Sequence, residues 1–227
     1  MNENKKICFV LLPGFSSDNL QIMGLKKLLE EAGYTAIAAN FYGTEIITDF
    51  TDMTAEGCIK NISTIINQAS SQYEKVYGIG ISLGGALLME HAKNFDNLSG
   101  IVSVGTPFRL KNRKWIALGE WLFPAIYFFW KPLQKIQRLR LSPLGASIQM
   151  ISYMEGKFLE HLEVITTPIL FLHSRKDGVT DFEALDEYVP KISSEKKEII
   201  FFPNGKHVVD DNPKTITDYA VSFFGLS

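Results

Sequence analysis

The sequence predicts an α/β domain built on a mainly parallel sheet, and three observations carry that prediction. Apolar runs of strand length recur along the 227 residues. They are nearly continuous rather than alternating, as strands covered on both faces are. Segments of helical spacing separate them, which is the rhythm of strand, helix and crossover.

The first strand is expected at residues 7–12 (ICFVLL), a run that Lys5 and Lys6 precede. It stops at Pro13-Gly14 after six apolar residues, too soon for a signal peptide. A helix follows at 20–32, with Leu25, Leu28 and Leu29 on one face, then a strand at 35–39 and a helix at 54–73. The strand 75–81 (KVYGIGI) runs directly into a helix at 83–94, and a strand at 100–104 comes next. After a long interval the alternation resumes with a strand at 169–173, a helix at 182–189, a strand at 198–202 and a helix at 213–224. No repeat or Gly/Ser linker divides the chain, so residues 1–227 read as one domain, with an inserted helical cap at about 108–160. A structureless connection of that length would be unusual.

Composition narrows the function. Hydrophobic residues make up 46% and aromatic residues 12%, enough apolar surface for a large core. The 23 Lys and Arg nearly balance the 25 Asp and Glu, for a net charge of −2, which argues against a basic nucleic-acid-binding protein or an acidic tail. Cys8 and Cys58 cannot form a disulfide framework and read as core and helix residues, so a reducing, cytoplasmic compartment is expected. No His, Asp or Glu cluster has metal-ligand spacing, and neither phosphate-binding glycine motif occurs; no metal or other cofactor is expected.

The sharpest local signal is Gly80-Ile81-Ser82-Leu83-Gly84, a G-x-S-x-G placed where a strand hands over to a helix. A serine on that tight turn is lifted to the carboxyl edge of the sheet, beside the positive end of the helix. It needs a base and an orienting acid. Among His91, His161, His173 and His207, only His207 lies in a loop after the last strand, and it is taken as the base. Asp177, in the loop His173-Ser174-Arg175-Lys176-Asp177-Gly178, is taken as the acid, with Asp181, Asp210 and Asp211 in reserve. His173 lies at a strand terminus and is not taken as the base. The order Ser82, Asp177, His207 suits a nucleophile elbow. Oxyanion donors are expected from the backbone N–H of Leu83 and from that of Phe15, in the loop Leu12-Pro13-Gly14-Phe15.

With LLPGF, GISLGG, VSVGTPF, HSRKDGVTD and NGKH in place, the chain resembles the α/β-hydrolase superfamily, and within it small bacterial carboxylesterases and monoacylglycerol-lipase-like lipases. The resemblance implies an α/β-hydrolase fold, with Ser82 as nucleophile, Asp177 as acid, His207 as base, and Phe15 and Leu83 as the oxyanion hole. It also implies that the chain starts at what is the third strand of the full fold, leaving about six strands. Pro13 stands where many relatives carry a histidine, which leaves the Phe15 amide available.

The implied activity is hydrolysis of carboxylic esters with an apolar acyl group through an acyl-enzyme. An acyl-thioesterase or acyltransferase using the same residues, and a non-catalytic protein binding apolar ligands, are the alternatives. The expected partner is a small ester, with no nucleic acid. The cap carries a dense aromatic run from Trp115 to Trp130, which Pro124 and Glu120 interrupt, so it reads as a lid over the site rather than a membrane span. Between Arg109 and Arg140 eight basic residues face a single acid, Glu120, a pattern suited to peripheral contact with anionic lipid or to a solvated rim.

Overall fold

A computed structural model of the chain describes residues 6–14, 20–39, 54–111, 153–154, 156–207 and 213–226. Its elements in chain order are β1 (Ile7–Leu12), α1 (Leu20–Glu31), β2 (Thr35–Ala38), α2 (Ala55–Ser70), β3 (Lys75–Ile81), α3 (Leu83–Ala92), β4 (Gly100–Val104), β5 (Ile169–Ser174), α4 (Ala184–Tyr188), β6 (Lys197–Phe202) and α5 (Pro213–Phe224). Among the described residues the strands form one sheet in the order β2-β1-β3-β4-β5-β6, and every neighbouring pair is parallel.

The apolar runs become a two-faced core because successive side chains of a strand point to opposite sides. On β1, Cys8, Val10 and Leu12 join the cluster under α2 and α3, with Ile62, Ile66 and Leu87. Phe9 and Leu11 join the opposite cluster under α1 and α5, with Leu25, Leu29, Ile216 and Ala220. Both cysteines are buried, and burial pushes each thiol up to about 11.

Three elements depart from the sequence expectation. The edge strand β6 is not covered on both faces: Lys197 and Glu198 are exposed and the rest of the strand is half-buried. Helix α4 spans five residues rather than eight, and Pro190 then sits in a 3-10 turn at Val189–Lys191. Helix α2 is shorter than 54–73 at both ends: Thr54 caps its start, the hydroxyl accepting from the Gly57 N–H at 3.0 Å, and Ser71 caps its end, its N–H donating to the Asn67 carbonyl at 3.1 Å.

Most of the expected cap, with its aromatic run, lies outside the described residues. Its two ends meet, however: the Phe108 ring lies 5.6 Å from that of Phe158 and also packs on Phe171 and Tyr188. Among the described residues no helix is long and apolar enough to cross a membrane.

The order of the strands decides where a site can form. From β1 the chain moves to β2 on one side and then returns to place β3 on the other. The carboxyl ends of β1 and β3 therefore flank a topological switch point, the usual place for a ligand crevice. The Leu12-Pro13-Gly14 loop and Ser82 are at those two ends.

Candidate active site

Ser82 sits between β3 and α3 with φ 52° and ψ −117°, a left-handed backbone that costs a side-chain-bearing residue about 1–3 kcal/mol. The surroundings over-determine it. The Ser82 N–H donates to the Val104 carbonyl at 2.7 Å, and the Thr106 hydroxyl donates to the Ser82 carbonyl at 3.3 Å. The turn is tight enough that a Cβ on Gly80 would stand 2.4 Å from the backbone of Gly84 and Gly85. One on Gly84 would stand 2.6 Å from the Leu12 carbonyl. The spacing of the motif is thus a packing requirement. Leu83 opens α3, so its N–H belongs to the first helical turn, whose amides have no intrahelical partner. Phe15 lies outside the described residues.

His207 follows β6 in the stretch Pro203-Asn204-Gly205-Lys206-His207, which the loop after β5 holds. The buried Ser174 hydroxyl donates to the Gly205 carbonyl at 2.7 Å, and the Lys176 ammonium donates to Asn204 Oδ1 at 2.8 Å. The imidazole spans two partners: Nε2 is 2.9 Å from Ser82 Oγ and Nδ1 is 2.8 Å from Asp177 Oδ2. A carboxylate can only accept, so Nδ1 carries the proton and Nε2 is free to accept from the serine hydroxyl.

Asp177 is 1% exposed and is enclosed by donors. Its Oδ1 accepts from the N–H groups of Val179 at 2.7 Å and Thr180 at 2.9 Å. Its Oδ2 accepts from the Thr180 hydroxyl at 2.5 Å as well as from His207. His173 Nε2 is 3.3 Å from that oxygen and 3.0 Å from Thr180 Oγ1. Because the threonine proton is spent on Asp177, His173 is the donor in its contact with Thr180. Burial alone would push the Asp177 pKa up; hydrogen bonds from His173, His207, Thr180 and the Thr180 backbone overcome it and hold the carboxyl well below the usual range.

The other candidates are elsewhere. Asp181 pairs with Arg109 at 3.0 Å, while Asp210 and Asp211 lie outside the described residues. His91 is buried in α3, where its Nδ1 accepts from the Ser63 hydroxyl at 2.9 Å and its Nε2 donates to Asn97 Oδ1 at 2.7 Å. His161 is exposed beside Glu163. The sequence reading did not find Thr180, although Asp-x-x-Thr carries a local signal: an aspartate readily accepts from N–H groups two and three residues on. Among the described residues no group of three His, Cys, Asp or Glu could hold a metal ion.

A parallel sheet flanked by helices, a strained serine after its third strand, and an aspartate and a histidine after its last two define an α/β-hydrolase fold. The chain is similar to esterases and lipases of that fold. It is 21% identical over 208 residues to a carboxylesterase of Bacillus subtilis (strain 168), covering 88% of this chain and 84% of that one. Among solved structures it matches one described with LipS and LipT, two metagenome-derived lipolytic enzymes, at TM-score 0.75 and 18% identity, covering 98% of this chain and 94% of the other. The esterase EaEST of Exiguobacterium antarcticum matches at TM-score 0.71 and 20% identity, with 98% and 93% covered. A soluble variant of the Saccharomyces cerevisiae monoglyceride lipase in complex with a substrate analogue matches at TM-score 0.74 and 13% identity, with 99% and 87% covered. No family model matches the chain.

Proposed function

We propose that this protein is a serine hydrolase that cleaves carboxylic esters carrying an apolar acyl group. One observation carries the reading: Ser82, His207 and Asp177 stand in a hydrogen-bonded row, with steps of 2.9 and 2.8 Å, on a strained elbow. The esterase and lipase names of its relatives support the same class.

In this reading His207 Nε2 takes the hydroxyl proton as Ser82 Oγ attacks the ester carbonyl. Asp177 keeps the imidazole in the right tautomer and stabilises the imidazolium. The Leu83 and Phe15 amides receive the developing oxyanion, each donor contributing a few kcal/mol. Collapse expels the alcohol, which receives the proton from His207. Water then attacks the acyl-enzyme by the same path and restores the serine. Every group used is a side chain or amide of this chain, so no step draws on a cofactor.

The test uses a medium-chain p-nitrophenyl ester and a fluorophosphonate probe. The protein should turn over the ester and take the probe on Ser82, and Ser82→Ala should lower kcat by roughly 10⁴-fold or more while abolishing labelling. Full turnover by Ser82→Ala, or labelling of another residue, would overturn the reading. Competing a coenzyme A thioester against the oxygen ester separates this activity from a thioesterase built on the same three residues.

A further inference from the structure

The row depends on where the Asp177 carboxylate is held, and the turn that holds it is anchored from outside the sheet. Residues 177–181 lie against the stretch Arg109-Leu110-Lys111, which follows β4. The Asp181 N–H donates to the Arg109 carbonyl and the Lys111 N–H donates to the Val179 carbonyl, each at 2.9 Å. Leu110 and Thr180 form an antiparallel bridge between these two bonds. The Lys111 side chain then turns back, and its ammonium donates to the main-chain carbonyl of Asp177 itself at 2.5 Å. The same ammonium stands 5.8 Å from the centre of the Phe182 ring, within cation–π range.

This lysine differs from Arg109 in its partner, and from Arg175 and Lys176 in reaching the Asp177 main chain: Arg175 lies over the Phe182 and Phe201 rings and Lys176 donates to Asn204. Arg109 pairs with the carboxylates of Asp181 and Glu187, whereas no carboxylate pairs with Lys111 among the described residues. Its donor goes to a neutral carbonyl, one residue before the turn whose amides grip the Asp177 side chain. The titratable groups that meet Asp177 are His207 from the loop after β6, His173 from β5, and this ammonium; Arg175 and Lys176 of the same loop turn to Phe182 and Asn204. Only the ammonium acts on the backbone.

We propose that Lys111 is a positioning residue for ester hydrolysis: by fixing the Asp177 carbonyl it fixes the turn that aims the carboxylate at His207. The role rests on the hydrolase reading above. It touches neither substrate nor reacting atoms and acts only through the orientation of Asp177. A misplacement of about 1 Å in such a chain costs up to roughly 10²-fold in rate.

The experiment compares Lys111→Met, Lys111→Arg and Arg109→Gln with the wild-type protein on the p-nitrophenyl ester. Each is monitored by thermal unfolding and by the downfield proton resonance of the His207–Asp177 hydrogen bond. Lys111→Met should lower kcat by about 10-fold with KM within about 2-fold, and should shift or broaden the resonance. Lys111→Arg, which still offers a donor to the carbonyl, should recover most of both. Arg109→Gln, which loosens the far end of the same turn, should stay within about 2-fold of wild type. An unchanged kcat and resonance in Lys111→Met, no rescue by arginine, or an equal loss in Arg109→Gln would overturn the proposal. Absence of hydrolysis by the wild-type protein would instead overturn the hydrolase reading, and the resonance then tests Lys111 on its own.

Discussion

Asp177 is buried with five donors within reach, and the arrangement makes its neighbours interdependent. Thr180 gives its one hydroxyl proton to Oδ2 and receives the Nε2–H of His173, so a single side chain satisfies two buried polar groups. Thr180→Val keeps the shape and removes both contacts. It should destabilise the protein by about 1–3 kcal/mol in urea denaturation, since buried groups left unpaired bear their full desolvation penalty. It should also lower kcat, because one of the bonds that orient the carboxylate is gone. An unchanged midpoint would mean that His173 finds another partner. At this scale the sequence was legible where a motif imposes order: Ser82 follows β3, Asp177 follows β5 and His207 follows β6, and their side chains meet in one row. Thr180 and Lys111 were not, because their importance lies in contacts. Thr180 matters through His173 seven residues back, and Lys111 through a loop 66 residues on.

The elements that carry these residues are held by close approaches of backbone. Gly105, just after β4, has φ +59°, and a Cβ there would stand 2.5 Å from the His207 carbonyl. The loop after β4 therefore serves as a floor for the loop after β6. Gly105→Ala adds strain of about 1–3 kcal/mol and pushes directly on the residue bearing the imidazole. It should cut kcat more than it lowers thermal stability would explain, with fluorophosphonate labelling of Ser82 slowed in parallel. Wild-type labelling kinetics in Gly105→Ala would show that the His207 loop gives way without moving the ring. The strands were readable as apolar runs because the central ones are buried on both faces. The ends of α2 and α4 were not, since caps at Thr54 and Ser71 and a proline at 190 bound a helical pattern that the apolar periodicity alone would continue. The edge strand β6 reads as apolar yet is half-open, because only its neighbours in space decide what covers it.

For the molecule as a whole, two buried groups couple folding to acid. Burial lowers the pKa of His91, an effect that its bond to Asn97 partly offsets, so the unfolded chain takes up this proton more readily below the ordinary value of 6.5. Stability from His91 is complete above that pH and declines as pH falls through it. The Asp177 pKa is depressed, so its contribution is complete above the ordinary value of 3.8 and is lost as pH falls below it. Thermal midpoints should thus decline in two ranges, the first starting near pH 6.5 and the second below about pH 4. His91→Gln should flatten the first range and leave the second, as measured by calorimetry across pH; an undiminished slope would assign the first range to other groups. Finally, the three residues of the row are made far apart in time: 125 residues separate Ser82 from His207. A growing chain in which β1 to β5 have paired already holds the serine elbow and the Asp177 turn, but not the imidazole that bonds to both. Among the described residues β6 lies at the sheet's edge, where it can dock without disturbing strands already paired. On the proposed chemistry, reactivity toward esters therefore appears only once β6 has docked and its loop has carried His207 to Ser82.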